Sequence, residues 1–336
     1  MGRWSGSIAV VLALGCGNDS EHNPFLDGSA SASASATTTT TSSTGTTAGQ
    51  EAGSMTGGQD SASDESGFKF DTPSGSDIGL PTGEGCEKID FLFVVDNSGS
   101  MAVHQANLVA NFGPFIDTIE ANVAGHDYHI MVVDTDSCPT MGNCTPMGCE
   151  DTLGAGAVHG CPMPPERYLT SQMPISDIKS SFECAAEVGD FGSASEMPMD
   201  AMIAATTIES AAGGCNPGFL RDDAVLVVTI ISDDHPGWFG PDNATSIGTP
   251  GEWFDAIVAA KNGHVDHLVV LGLLATPGDE SCLGFCPCNA DKFIDFVDMF
   301  GARGIVASVC QPDYDQFFQQ AVELIDMACD EFEPAG

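Results

Sequence analysis

From residue 88 onward, five apolar runs punctuate the chain: IDFLFVVD (89–96), YHIMVV (128–133), AVLVVTIIS (224–232), HLVVLGLLA (267–275) and GIVASV (304–309). Each is continuous rather than alternating, and rich in valine, isoleucine and leucine. Strands buried on both faces read this way, so the runs predict a parallel sheet covered by helices on each side. Between them, apolar residues recur at helical spacing. Leu108, Phe112, Phe115, Ile116 and Ile119 form one stripe, and Trp253, Ile257 and Ala260 another. Two more follow at Phe293, Val297 and Phe300, and at Phe317, Ala321, Leu324 and Ala328. Such stripes are core-facing helix faces. Alternating strands and helices define an open, doubly wound α/β sheet, mostly parallel and Rossmann-like.

Two stretches depart from the alternation. Residues 137–165 hold Cys138, Cys144, Cys149 and Cys161 among many Gly, Pro and Met residues, and read as a disulfide-stapled insertion. A short edge strand is expected at 167–170, then helices over 174–188 and 198–212. Residues 28–81 are Ser, Thr, Ala and Gly with scattered acids, including SASASASATTTTTSSTGTT. Too little there can be buried to offset the entropy of ordering, so the whole of 16–85 is expected to be a disordered linker. As a flexible coil it would span roughly 45 Å.

The extreme N-terminus, MGRWSGSIAVVLALGC, carries Arg3 and a short apolar run, too short for the about 20 residues of a spanning helix. It reads as a secretory signal over 1–15. The segment ALGC resembles the lipobox of bacterial lipoproteins. That resemblance implies lipidation of Cys16, with Gly17 and Asn18 after it favouring the outer membrane. Ala13 stands where the family prefers leucine.

Composition agrees with an exported chain. There are 13 cysteines, which suits an oxidising compartment; setting Cys16 aside leaves an even number. Forty-eight acidic residues face nine basic ones, a net charge of -39. Nucleic acids and anionic membrane surfaces are poor partners for such a surface, because both need a positive patch. The membrane enters only through the N-terminal lipid.

The chemistry concentrates in DFLFVVDNSGSM, where a buried strand ends abruptly in Asp96, Ser98 and Ser100. Ligands of open α/β sheets sit beyond the carboxyl ends of strands, where strand order reverses. With Gly99 permitting a tight turn and a helix beginning near Met101, the three side chains can converge. One carboxylate and two hydroxyls are hard oxygen donors, suited to Mg²⁺ or Mn²⁺ and less tightly to Ca²⁺. A cation held by so little negative charge still attracts an outside carboxylate.

This D-x-S-x-S pattern after an apolar strand resembles the metal-ion-dependent adhesion site of von Willebrand factor A-type domains, over roughly residues 86–332. The resemblance implies two further loops of ligands. One supplies an aspartate after the fourth buried strand, where VTIISDDHPG offers Asp233, with Asp234 as the alternative. The other normally supplies a threonine. Here VGDFGSASEMPMDAM has none, so Ser193 or Ser195 would substitute, and Glu196 could also reach in. A glutamate ligand would quench the cation's appetite for an outside carboxylate and favour a structural ion.

In that topology the first strand starts, and the last helix (313–329) ends, at the lower edge of the sheet, which predicts a Cys86–Cys329 disulfide. Cys282, Cys286, Cys288 and Cys310 are expected to pair among themselves at the top, the four insertion cysteines locally, and Cys184 with Cys215. Zinc at Cys161 with nearby His159 is the alternative for the insertion. No HExxH, G-x-S-x-G or phosphate-binding glycine loop occurs. The expected function is therefore binding of a protein or extracellular-matrix ligand through a divalent cation, by an outer-membrane, secreted or periplasmic non-enzyme. The alternatives are an envelope protein with a stabilising ion and, less favoured, an extracellular hydrolase.

Overall fold

The computed structural model describes residues 86–122, 125–136, 148–158, 160–192, 196–233, 246–279 and 290–333. The expected signal, Cys16 and linker lie outside them, as do Cys138, Cys144, His159, Cys282, Cys286 and Cys288. Among the described residues no helix is long and apolar enough to cross a membrane.

All five continuous runs are strands. They are β1 (Lys88–Val95), β2 (Asp127–Asp134), β4 (Val225–Ser232), β5 (Leu268–Leu274) and β6 (Gly304–Ser308); the short β3 (Leu169–Thr170) precedes β4 in the chain. The sheet order is β3-β2-β1-β4-β5-β6. Every pairing is parallel except β2 with β3 at the edge. β4 and β5 are buried along their whole length, as is β1 after Lys88, which explains their unbroken apolar sequence.

Helices cover both faces. On one, α1 (Ala102–Asn122) packs against α2 (Ile175–Ala186) and α6 (Asp315–Asp330). On the other, α4 (Pro250–Ala260) packs against α3 (Pro198–Thr206) and α5 (Asp291–Asp298). Phe93 of β1 meets Phe112 and Phe115 of α1 and Phe182 of α2 edge-on, joining sheet and helix layer.

The third helix is shorter than the expected 198–212. Thr206 and Thr207 turn their hydroxyls back onto the carbonyls of Met202 and Ile203, and Glu209 N–H returns to Ala204 O. Hydroxyl side chains competing for backbone acceptors in the last turn end the helix there.

The lower edge of the sheet is tied by charge and by sulfur. Arg221 pairs with buried Asp90 (2.7 Å) and with Asp127 (2.8 Å), on neighbouring strands. Cys86 and Cys329 are disulfide-bonded, closing the domain end to end. Cys149 and Cys161 do not pair within the insertion as expected, and Cys184 is not joined to Cys215. Cys149 bonds Cys215, and Cys161 bonds Cys184 in α2. The reason is the insertion's path: it runs against α3 so closely that a Cβ on Gly154 would come within 2.6 Å of Ala205 N. That brings Cys149 to the loop after α3. The zinc alternative at Cys161 falls with this, since a disulfide sulfur is no thiolate ligand. Cys310 is also disulfide-bonded.

Candidate metal centre

β1 and β4 are adjacent and parallel, and the chain winds outward from them in opposite directions. Asp96 and Asp233 each follow the last residue or two of these strands. They therefore arrive side by side at the switch point, where Asp96 N–H still bonds Ile231 O at 3.0 Å.

Asp96 is wholly buried. Its Oδ1 accepts from Ser98 N–H at 2.7 Å, an Asx-type turn that lifts the chain off the strand. Its Oδ2 accepts from Ser232 Oγ–H at 2.6 Å. The turn closes with Met101 N–H on Ser98 O, and α1 starts at Ala102. The hydroxyls of Ser98 and Ser100 lie 3.1 Å apart, and Ser100 Oγ–H donates to Asp233 Oδ1 at 2.9 Å. The turn does not depend on Gly99 as expected. Its φ is not positive, and a Cβ there would meet only Asp190 O, at an ordinary 3.6 Å.

Four of the expected ligands, Asp96, Ser98, Ser100 and Asp233, thus gather in one cluster. Ser193, Ser195 and Asp234 lie outside the described residues. Glu196 is buried and accepts a short hydrogen bond from Thr135 Oγ–H, at the end of β2. Thr135 in turn lies 3.4 Å from Asn97 Oδ1, so Glu196 stands beside the residue between Asp96 and Ser98. The loop 189–192 is clamped to the same turn. Gln105 Nε2–H donates to both Asp96 O (2.9 Å) and Gly189 O (2.7 Å), and Gly192 N–H bonds Asn97 O at 2.9 Å. Gly192 is required for that approach, because a Cβ would fall 2.4 Å from Asn97 Oδ1.

The electrostatics are those of an acid pair short of positive charge. Burial, and then the charge of Asp233, push the Asp96 carboxyl up to about 7 despite its bonds to Ser232 and Ser98. Burial likewise raises Asp233, against the Ser100 hydrogen bond. Asp233 Oδ2 is buried and has no hydrogen-bond partner among the described residues. His104 Nε2 faces it at 3.9 Å, but burial lowers that imidazole below the ordinary histidine value, so it brings little charge at neutral pH. Two buried carboxylates and two hydroxyls, with one carboxylate oxygen left over, are what a small hard divalent cation would complete. The donor set fits such an ion: it would relieve the repulsion that otherwise keeps a proton on the pair. The cage is closed below, where Asp96 is buried, and open above, where Gly99 and Ser100 are exposed.

Ser232, Gln105 and His104 escaped the sequence reading. His104 carried a signal: it lies four residues after Ser100, in the first turn of α1. Ser232 is the last residue of an apolar strand and adjoins Asp233, a place where a hydroxyl is unexpected.

No family model matches this chain, and no curated protein matches it. Among solved structures it is similar to proximal thread matrix protein 1 from the mussel byssus. In one crystal form the identity is 12%, the match covers 72% of this chain and 49% of that one, and the TM-score is 0.37. In another crystal form the figures are 13%, 72%, 46% and 0.33. It is also similar to the pilus adhesin SpaC from Lactobacillus rhamnosus GG, open conformation, at 11% identity, covering 71% of this chain and 30% of that one, TM-score 0.41. The matches span less than half of each of those chains. At this level of similarity the functional reading rests on the site itself.

Proposed function

We propose that this chain is a von Willebrand factor A-type binding protein that takes a protein or matrix ligand through a divalent cation. The observation that carries the reading is the cluster at the switch point: Asp96, Ser98, Ser100 and Asp233 hydrogen-bonded into one cage, with Asp233 Oδ2 buried and without a hydrogen-bond partner among the described residues. Mg²⁺ or Mn²⁺ would be held by these oxygens and supply a Lewis-acidic point on the open side. The chain's own residues position the donors: Ser232 and the Ser98 amide orient Asp96, and Ser100 orients Asp233. The partner would contribute a carboxylate. Its surroundings should be neutral or basic, since long-range repulsion from the acidic surface fades only beyond ~8 Å at physiological salt.

An apolar contact adjoins the cage. Phe191 is 89% exposed and precedes Gly192, whose N–H bonds Asn97 O in the Asp96–Ser100 turn. Val103, in the first turn of α1, is 66% exposed. An aromatic side chain that a partner buries can carry a large share of the binding energy of an interface.

In the same proposal the Cys16 lipid and the linker would present the domain away from the outer membrane, and the site would bind without catalysis. Capture from envelope or matrix material, with magnesium and with chelator, tests the binding function. Partner retention should require the cation and vanish in Asp96→Ala. Retention in chelator would favour instead an envelope protein whose ion only stiffens the fold. Phe191→Ser should weaken partner affinity by roughly tenfold while leaving magnesium binding unchanged, as read by titration calorimetry of both. Unchanged partner affinity would remove Phe191 from the interface.

A further inference from the structure

Asp233 is gripped on one side only. Ser100 Oγ–H donates to Oδ1 at 2.9 Å, while Oδ2 is buried and has no hydrogen-bond partner among the described residues. The side chain facing Oδ2 is His104, in the first turn of α1, with Nε2 3.9 Å away. The placement follows from the chain. Ser100 closes the turn that leaves β1, and His104 comes four residues later, so both approach a carboxylate delivered by the neighbouring strand β4. Both side chains are more than nine-tenths buried, His104 at 7% exposure and Asp233 at 3%. Such groups must find their partners inside the protein. His104 is as poorly served as Asp233: its Nδ1 is buried and makes no hydrogen bond among the described residues. The backbone of Val309, after β6, favours the charged ring, but it is not in hydrogen-bond geometry with Nδ1.

The same contacts decide the tautomer. A neutral imidazole carries one N–H and one bare lone pair. A proton on Nδ1 would bury a donor with no acceptor in hydrogen-bond geometry. It would also turn the bare Nε2 lone pair toward a carboxylate oxygen, acceptor against acceptor. A proton on Nε2 avoids both and points the N–H dipole at Oδ2. At 3.9 Å this attraction falls about 1 Å short of an N–H···O hydrogen bond. A neutral donor also suits the place, because a charged imidazolium there would oppose a cation in the cage.

We propose that His104 is a positioning residue of the cation cage: its Nε2–H takes up Asp233 Oδ2 when the site is loaded, as Ser100 takes up Oδ1. The proposal rests on the reading of Asp96, Ser98, Ser100 and Asp233 as a cation site. Each carboxylate oxygen has two lone pairs, so the hydrogen bond leaves one free for the ion. Partners of this kind, which orient a ligand without touching the metal, change metal affinity by about 10- to 100-fold.

Mg²⁺ titration of the full chain by calorimetry, with urea unfolding in chelator alongside, separates positioning from packing. His104→Leu keeps a similar volume and loses the donor. It should bind Mg²⁺ about 10- to 100-fold more weakly than wild type. In chelator it should unfold at no lower a urea concentration, because the change removes a buried nitrogen that makes no hydrogen bond. His104→Gln, whose Nε2–H₂ stands near the place of the imidazole Nε2–H, should recover most of the affinity. Wild-type affinity in His104→Leu, equal losses in both variants, or a loss accompanied by earlier unfolding in chelator overturns the proposal. Failure of wild type itself to bind Mg²⁺ would instead remove the cation site, and with it the role assigned to His104.

Discussion

Asp96→Asn is expected to make the cation-free protein more stable at about pH 8 and, in the same stroke, blind to magnesium. The sign follows from the carboxyl's position at about 7 in the folded state against 3.8 as its ordinary value. Between those values the folded protein keeps a proton that the unfolded chain has released. Stability is therefore fullest below about pH 4, falls as pH rises, and has been lost by the time pH passes about 7. Asparagine does not titrate. Its Oδ1 can still accept from the Ser98 amide, and its Nδ2–H can donate to Ser232 Oγ, so the turn survives. In chelator the variant should exceed wild type at about pH 8 by a few kcal/mol, and the two should converge near pH 4. Magnesium reverses the ranking. At a hundredfold excess over its dissociation constant it should stabilise wild type by about 2.7 kcal/mol, and Asp96→Asn not at all. Urea unfolding at both pH values, with chelator and with magnesium, gives all four comparisons. A variant less stable than wild type in chelator at about pH 8 would mean that hydrogen bonds alone satisfy an ionised Asp96, and that no cation is needed.

The other large effect is expected at the lower edge. Replacing both Cys86 and Cys329 with serine should cost about 5 kcal/mol of unfolding free energy. The bond closes a loop of 243 residues, and the entropy it removes from the unfolded chain grows with the logarithm of that length. The inner Cys149–Cys215 bond shortens the effective loop by 66 residues, which the logarithm makes almost irrelevant. Both residues are replaced together so that no lone thiol is left to exchange with the other disulfides. Urea unfolding of the double variant under non-reducing conditions measures the loss. A loss under about 1 kcal/mol would show that the Cys86 N–H to Cys329 O bond and the packing of Phe332 already hold the ends together.

What was legible in the sequence follows a physical division. β1, β4 and β5 announced themselves because a strand buried on both faces has no polar positions to blur its limits. Asp96, Ser98 and Ser100 could be placed together because they share one turn, and Asp233 because it ends a strand of the same kind. Side chains delivered by loops were not placed. Glu196, which could also have reached in, bonds Thr135, which lies beside Asn97. The partners of Cys149 and Cys161 were missed for a related reason: pairing depends on the path over α3, and nearness along the chain says nothing of it. His267 was visible as a residue, but the bond from its Nε2–H to Glu333 O, 66 positions away, forms only once α6 has folded back.

The central claim is that Asp96, Ser98, Ser100 and Asp233 hold a divalent cation with a position left for a partner. Crystals grown with manganese and measured at the manganese absorption edge test it most directly. An anomalous peak bonded to those oxygens, with a solvent molecule on the Ser100 side, is the predicted result. A peak absent from that cluster, or one whose open position is already filled by Glu196, contradicts it.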